Sequence, residues 1–246
     1  MAYAQGKKAA NTNVADPRWK DLYMLGAAAC VVFILLILVA VGAYFIWPYT
    51  PGVSSVESIF STLQGNRVGG LISLDLFLVL GVLVSIPVGL ALYAALKQVN
   101  EPYALFALVL ILLSVALCLQ SRPIAEVVYL SDQYAAATTD AARSQCLAAG
   151  QALLSHFNGT AWMLYTVLGG LANIVYSLLM LRSRIFSKWT AYAGLVLSVA
   201  GLGIFIPVIG VPLALVATLG GVLWFALIGR ELLRAGRQIH APQPAT

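Results

Sequence analysis

One acid stands inside an apolar run. Asp75 is flanked by Leu71-Ile72-Ser73-Leu74 and Leu76-Phe77-Leu78-Val79. A charge at the middle of a bilayer costs about 3 kcal/mol on insertion scales, so an intramembrane carboxyl is a candidate functional group. Counted from the outer end of its helix, Asp75 is expected about seven residues, roughly 10 Å, down. At similar depth on other runs come Tyr44, Ser114, Tyr165, Thr166 and Thr218. Arg122, Glu126 and His156 are expected just above them. If these faces converge, the outer half of a helix bundle holds a small polar layer. Asp75, Ser114, Arg122, His156 and Tyr165 would then line a ligand site. The alternative is structural: Asp75 is neutral, or pairs with Arg122 or a tyrosine hydroxyl, and only fixes packing. Asn173 and Tyr176, deeper in their run, read as hydrogen-bonding glue between helices.

Other chemistries find little support. The chain has three cysteines and two histidines, whereas a catalytic zinc usually takes three protein ligands. His240 lies in a polar tail, so neither a metal site nor a cofactor is expected. Cys30 reads as a small hydrophobe. Cys118 and Cys146 either form an outer-side disulfide or remain thiols. No nucleophile elbow accompanies the serines, and Gly169-Gly170, Gly201 with Gly203, and Gly220-Gly221 read as close helix contacts.

Positioning such a layer needs membrane helices, and the composition requires them. The chain of 246 residues is 61% hydrophobic and 9% charged, against about 25% charged in a soluble domain. Its mean hydropathy is +0.91. Lipid is therefore the solvent for most of it. The net charge of +5 sits beside apolar runs, which suits topology and anionic lipid rather than nucleic acid. The reading is all-α: a polytopic membrane protein, a six-transmembrane-helix bundle with spans at about 22–47, 68–96, 103–121, 158–181, 189–206 and 213–233. Residues 1–21 read as a disordered cytoplasmic segment and 235–246 as a cytoplasmic tail. Pro48 and Pro51 stop the first span behind an aromatic edge of Tyr44, Trp47 and Tyr49. Ser54-Ser55-Val56-Glu57 reads as a capping box. It opens a short helix whose Val56, Ile59, Phe60 and Leu63 face either the outer membrane interface or a partner. Lys97 to Pro102 is a tight polar turn. The segment 122–157 extends helices three and four outward as a hairpin, broken at Thr138-Thr139-Asp140, with Ala142, Cys146, Ala149 and Leu153 on one face.

Orientation follows from the cations. With both termini inside, Lys7, Lys8, Arg18, Lys20, Lys97, Arg182, Arg184, Lys188, Arg230, Arg234 and Arg237 are inside, and only Arg67, Arg122 and Arg143 are outside. That split obeys the positive-inside rule. Arg182, Arg184 and Lys188 form the densest inner cluster and are assigned to threading and lipid contact.

Three stretches carry a resemblance. They are Leu90-Ala91-Leu92-Tyr93-Ala94-Ala95-Leu96, Gly169-Gly170 through Tyr176-Ser177-Leu178, and Leu181-Arg182-Ser183-Arg184-Ile185-Phe186-Ser187-Lys188-Trp189 with the Gly-rich span after it. Together they resemble the bacterial multi-pass family filed as domain of unknown function 4386, over about residues 71–233. His156 stands where that family often has a histidine, while the proline usual near Ser187 is missing. The resemblance implies a multi-pass protein of the bacterial inner membrane and carries no activity.

Three functions compete. The first is a non-enzymatic binding, scaffold or regulatory protein that meets membrane lipids, a small apolar ligand or a membrane protein partner. The second is a transporter or channel, opposed by few spans, scarce internal charge and no evident inverted repeat. The third is an intramembrane enzyme. An enclosed cavity lined by Asp75 favours binding or transport; close packing around it favours a structural role.

Overall fold

The computed structural model describes residues 16–46 and 54–238. The expectations for residues 1–15, for Trp47 to Pro51, and for His240 and the tail fall outside the described residues, as does the Tyr44 side chain. A 3-10 turn, Pro17–Trp19, leads into α1 (Lys20–Ile46), followed by α2 (Val56–Gly65), α3 (Arg67–Ser73) and α4 (Leu76–Gln120). Then come α5 (Ile124–Ala136), α6 (Asp140–Ser155), α7 (Thr160–Arg182), α8 (Lys188–Leu202) and α9 (Gly210–Gln238). No strand occurs among the described residues. Five helical stretches, 17–43, 76–136, 140–182, 188–205 and 210–238, are long and apolar enough to cross a bilayer. The chain is an all-α polytopic membrane protein.

The longest stretch is not straight. Asn100 has extended backbone inside α4 (φ −161°, ψ 100°), and its Oδ1 accepts a hydrogen bond from the Tyr103 amide at 3.3 Å. Asn100 thus caps a new helix that carries Pro102 in its first turn. The two legs fold back on each other. Gly89 packs on Ile111 and Leu108, and Val82 clusters with Val115 and Cys118.

The long helices form a closed ring: α1 lies between α4 and α9, α7 packs on α4 and α8, and α8 packs on α9. One end of the ring is tight because its contacts are small. Gly26 meets Ala91, Gly229 meets Cys30, and Gly194 meets Ser177 and Trp224. Tyr23, Tyr176, Met180, Ile228 and Leu232 fill the space between and are fully buried. At this end the Lys97 ammonium lies 4.0 Å from the Trp19 ring centroid, while Arg182, Arg184 and Lys188 are exposed.

A small outer layer of short helices, α2, α3, α5 and α6, sits at the other end; it revises the sequence reading in three places and decides one open choice. The α2 face of Val56, Ile59, Phe60 and Leu63 is buried against Val127, Leu154 and Phe157. The chain's own hairpin covers it, so neither lipid nor an outside partner is needed. Ser55 alone caps α2, accepting from the Ser58 amide at 3.2 Å, and Glu57 instead accepts from the Tyr134 hydroxyl, so no capping box forms. On α6 the fully buried positions are Gly150 and Leu154; of the expected face, Cys146 and Leu153 pack partly buried on the same cluster, Ala142 is partly buried, and Ala149 is exposed. Gly150 lies where Val56 and Phe60 cross, leaving no room for a side chain. Cys118 is buried between the α4 legs while Cys146 lies on α6, and both are free thiols.

The outer layer is tied down by charge as well. Arg67 and Asp132 form a bidentate pair at 2.9 and 3.0 Å, with the Gln64 amide donating to the same carboxylate. The Arg67 guanidinium and then the Gln64 amide hold the Asp132 carboxyl below its ordinary range. The pair is exposed, so it aids registry more than stability.

Candidate functional site

Asp75 does not lie within a helix. It occupies the break between α3 and α4 with left-handed backbone (φ 64°, ψ 30°), a conformation that Asp tolerates better than most residues. The Leu74 amide closes α3 on the Gly70 carbonyl, and the Asp75 carbonyl starts α4 by accepting from the Val79 amide at 3.1 Å. The side chain makes no capping bond to α4. It is free to turn across the bundle.

Its partner is Arg122. Nε donates to Asp75 Oδ2 at 2.9 Å. Nη1 donates to the Ser121 carbonyl, the Ser121 hydroxyl and the Phe157 carbonyl at 3.0–3.2 Å. The guanidinium lies between two rings, 4.2 Å from the Trp162 centroid and 4.8 Å from that of Phe157. Its side chain is 2% exposed and that of Asp75 is 33%. Local sequence explains the corner. Pro123 restricts the residue before it and ends the helical path, so Arg122 leaves the end of α4 at an angle. The 3-10 turn His156–Asn158 presents the Phe157 carbonyl.

The open part of Asp75 faces a cavity. Among the described residues Oδ1 accepts no hydrogen bond, and Asp75 lines a space of about 330 Å³ with Phe33, Ile37, Leu78, Ser85, Ser114 and Tyr165. A second lobe of about 370 Å³ reaches Ser198 and Trp224. The lobes share Phe33, Ile37, Leu78, Tyr165, Gly169, Asn173, Thr218 and Phe225. Both lobes fall in the size range of small-molecule pockets. Phe33 and Phe225, which line both lobes, stack on each other at 4.1 Å between centroids.

The residues expected from sequence separate into two groups. Asp75 and Arg122 meet, and Ser114 and Tyr165 line the cavity beside Asp75, with Ser114 Oγ donating to the Tyr165 carbonyl at 3.0 Å. Tyr165 also packs against Trp162, 5.1 Å between centroids, which links the guanidinium to the cavity wall. Thr166 lines the second lobe and Thr218 lines both. His156 and Glu126 do not join: both are exposed in the outer layer and line neither lobe. His156 follows the end of α6 and is exposed, while the carbonyl of its neighbour Phe157 turns in to Arg122. Tyr176 does act as glue, donating to the Gly89 carbonyl at 3.0 Å. Asn173 does not, since it lines both lobes and makes no hydrogen bond among the described residues. No group of three metal-ligating side chains gathers among the described residues.

A second buried acid was missed in the sequence. Glu231 on α9 accepts at Oε1 from the Ser187 amide (3.1 Å) and the Thr190 hydroxyl (2.9 Å), while Oε2 is buried without a partner. It holds the N-terminus of α8 against α9, where a carboxylate is favoured. The signal was present as an acid between Arg230 and Arg234, but it reads as an ordinary solvated helix end. Two charge-assisted hydrogen bonds are worth about 3 kcal/mol or more together. Glu231→Ala should therefore lower the free energy of unfolding in detergent by that amount. Glu231→Gln, which keeps an acceptor oxygen, should lose much less. Equal losses in the two variants would show that the carboxylate is not the tie.

Comparison with known proteins is consistent with this architecture. No curated protein and no solved structure matches the chain. The family described as Domain of unknown function (DUF4386) matches residues 28–233, so the likeness read from residue 71 onward reaches back through most of α1. From the Asp75 break to the Arg182–Lys188 turn and on to α9, the bundle lies within that match, and the chain belongs to the DUF4386 family.

Proposed function

We propose that this integral membrane protein binds a small apolar or amphipathic ligand in the cavity of its bundle and does no chemistry on it. The observation that carries this reading is the cavity wall: mostly apolar side chains, with Asp75 and a few uncharged polar groups such as Ser114, Tyr165 and Asn173 among them. Close packing around Asp75 would have argued for a purely structural acid. A ligand that enters from the bilayer has lipid-like chemistry, so membrane lipids are the first partners to consider. The test is to fill the space. Ala40 lines the first lobe from α1 and is only partly buried, so Ala40→Phe should fold. Native mass spectrometry of the protein from mild detergent should detect a co-purified small molecule that Ala40→Phe loses at least tenfold, an effect of about 1.4 kcal/mol. Identical spectra for the two proteins would remove the reading.

The proposal includes a placement. The chain crosses a bacterial inner membrane six times, the two legs of α4 counting separately, with both termini cytoplasmic. Its support is that Arg18, Lys20, Lys97, Arg182, Arg184, Lys188, Arg230, Arg234 and Arg237 all flank the tight end of the ring, whereas Arg67, Arg122 and Arg143 belong to the other end. A reporter fused after Gln238 and one inserted at 137–139 should report opposite sides. Same-side signals would defeat it.

A further inference from the structure

We infer that the cavity selects an uncharged, hydroxyl-terminated amphiphile over charged amphiphiles of the same chain length. This rests on the ligand-binding reading above and names the chemistry of the ligand. The argument starts from the ion pair. Asp75 and Arg122 are in contact at 2.9 Å and together carry no net charge. Asp75 Oδ2 is used, Oδ1 accepts no hydrogen bond among the described residues, and the residue lines the cavity. A ligand that reaches it must therefore donate.

A hydroxyl donates one hydrogen bond to a carboxylate and adds no charge. A bond to a charged acceptor is among the stronger neutral-donor bonds. An ammonium also donates, but it brings a third charge into a largely apolar chamber whose carboxylate is already neutralised. Its desolvation costs several kcal/mol per ion and finds no free counter-charge. A carboxylate or phosphate meets Oδ1 with like charge. The guanidinium is not within its reach, because Arg122 lines neither lobe. A pure hydrocarbon fits the apolar walls but leaves Oδ1 facing it unsatisfied.

Depth gives the rest. The lobes run from Asp75 past Tyr165 to Asn173, and eight residues of α7 rise about 12 Å. An extended chain of about ten carbons or more lies along that path with its hydroxyl at the outer end. Asn173 offers a second polar contact near the far end. Ligands with a polar group partway along the chain therefore also fit.

The experiment compares four probes of equal chain length on the wild-type protein: 1-dodecanol, dodecylammonium, dodecanoate and dodecane. Each is equilibrated with protein stripped of endogenous ligand in a detergent of different mass, and retention is read by native mass spectrometry. Dodecanol should bind at least tenfold more tightly than each of the other three, and Ala40→Phe should lose it. Asp75→Asn should narrow the gap between dodecanol and dodecane severalfold. Because the wild-type comparison stands alone, failure of that variant to fold leaves the test intact. Equal or tighter binding of dodecylammonium, dodecanoate or dodecane, lost in Ala40→Phe, would overturn the selectivity while keeping the cavity as a ligand site. Retention of no probe above the level of Ala40→Phe would overturn both.

Discussion

Removing the Asp75 carboxylate should cost the protein about 3 kcal/mol of stability, the lower end of what breaking a buried ion pair costs. The lower end applies because Arg122 keeps three oxygen acceptors and two ring faces when its partner is lost. Asp75→Ala leaves a 2%-exposed guanidinium short of its counter-charge. Arg122→Met leaves the carboxylate unpaired, but it opens on the cavity and one third of it is exposed. The same variant loses the tie to the Phe157 carbonyl, so a loss of similar size is expected. The double variant should fall short of the summed losses by about 1.5–3 kcal/mol, the coupling typical of contacting groups. Additive losses in detergent unfolding would show that the pair contributes nothing. A fourth variant isolates the backbone. Asp75→Gly removes the same carboxylate but accepts the left-handed conformation freely, so it should be about 1 kcal/mol better than Asp75→Ala.

The inner crossing should be at least as sensitive. A side-chain carbon on Gly194 would meet the Ser177 hydroxyl and the Trp224 ring, both from neighbouring helices. Trp224 cannot retreat easily, since its indole N–H donates to the Thr190 carbonyl at 3.0 Å and the ring is 4% exposed. Gly194→Val should therefore destabilise by about 3 kcal/mol or more, the upper range of overpacking. It should also disturb Trp224 fluorescence. Gly221 on α9 is the matched control, because a methyl group there meets nothing. Gly221→Ala should be neutral or stabilising by up to about 1 kcal/mol through helix propensity. If both glycines tolerate substitution equally, the helices do not approach as closely as described.

Much of the fold was legible in the sequence because lipid imposes a one-dimensional rule. A helix satisfies its own backbone, so apolar length alone marks the runs. Turn chemistry at Asn100-Pro102 and Thr139-Asp140 is equally local, and both breaks occur there. Cation placement marks the Arg182 to Lys188 turn without reference to any other segment. The pairing of Asp75 with Arg122 is among the alternatives the sequence leaves open, beside a neutral acid and a tyrosine hydroxyl, because a buried acid needs a partner and few cations stand away from the main cluster.

The tertiary structure decided what depends on direction rather than composition. Asp75 lies in an apolar run, but only the left-handed turn at that residue puts it between two helices and aims its carboxyl across the ring. His156 and Phe157 are adjacent, and the 3-10 turn sends the histidine out and the phenylalanine carbonyl in. The apolar face of α2 is the same whether lipid, a partner or the chain's own hairpin covers it. Gly150, the place where α2 fits, lies about 90 residues further along the chain. Glu231 looks solvated beside two arginines until α8 is packed against it. Glycines allow helices to approach, but which end of the ring closes and which keeps a cavity depends on where crossings on different helices coincide in depth. That coincidence is a property of helix packing in three dimensions, and no single segment carries it.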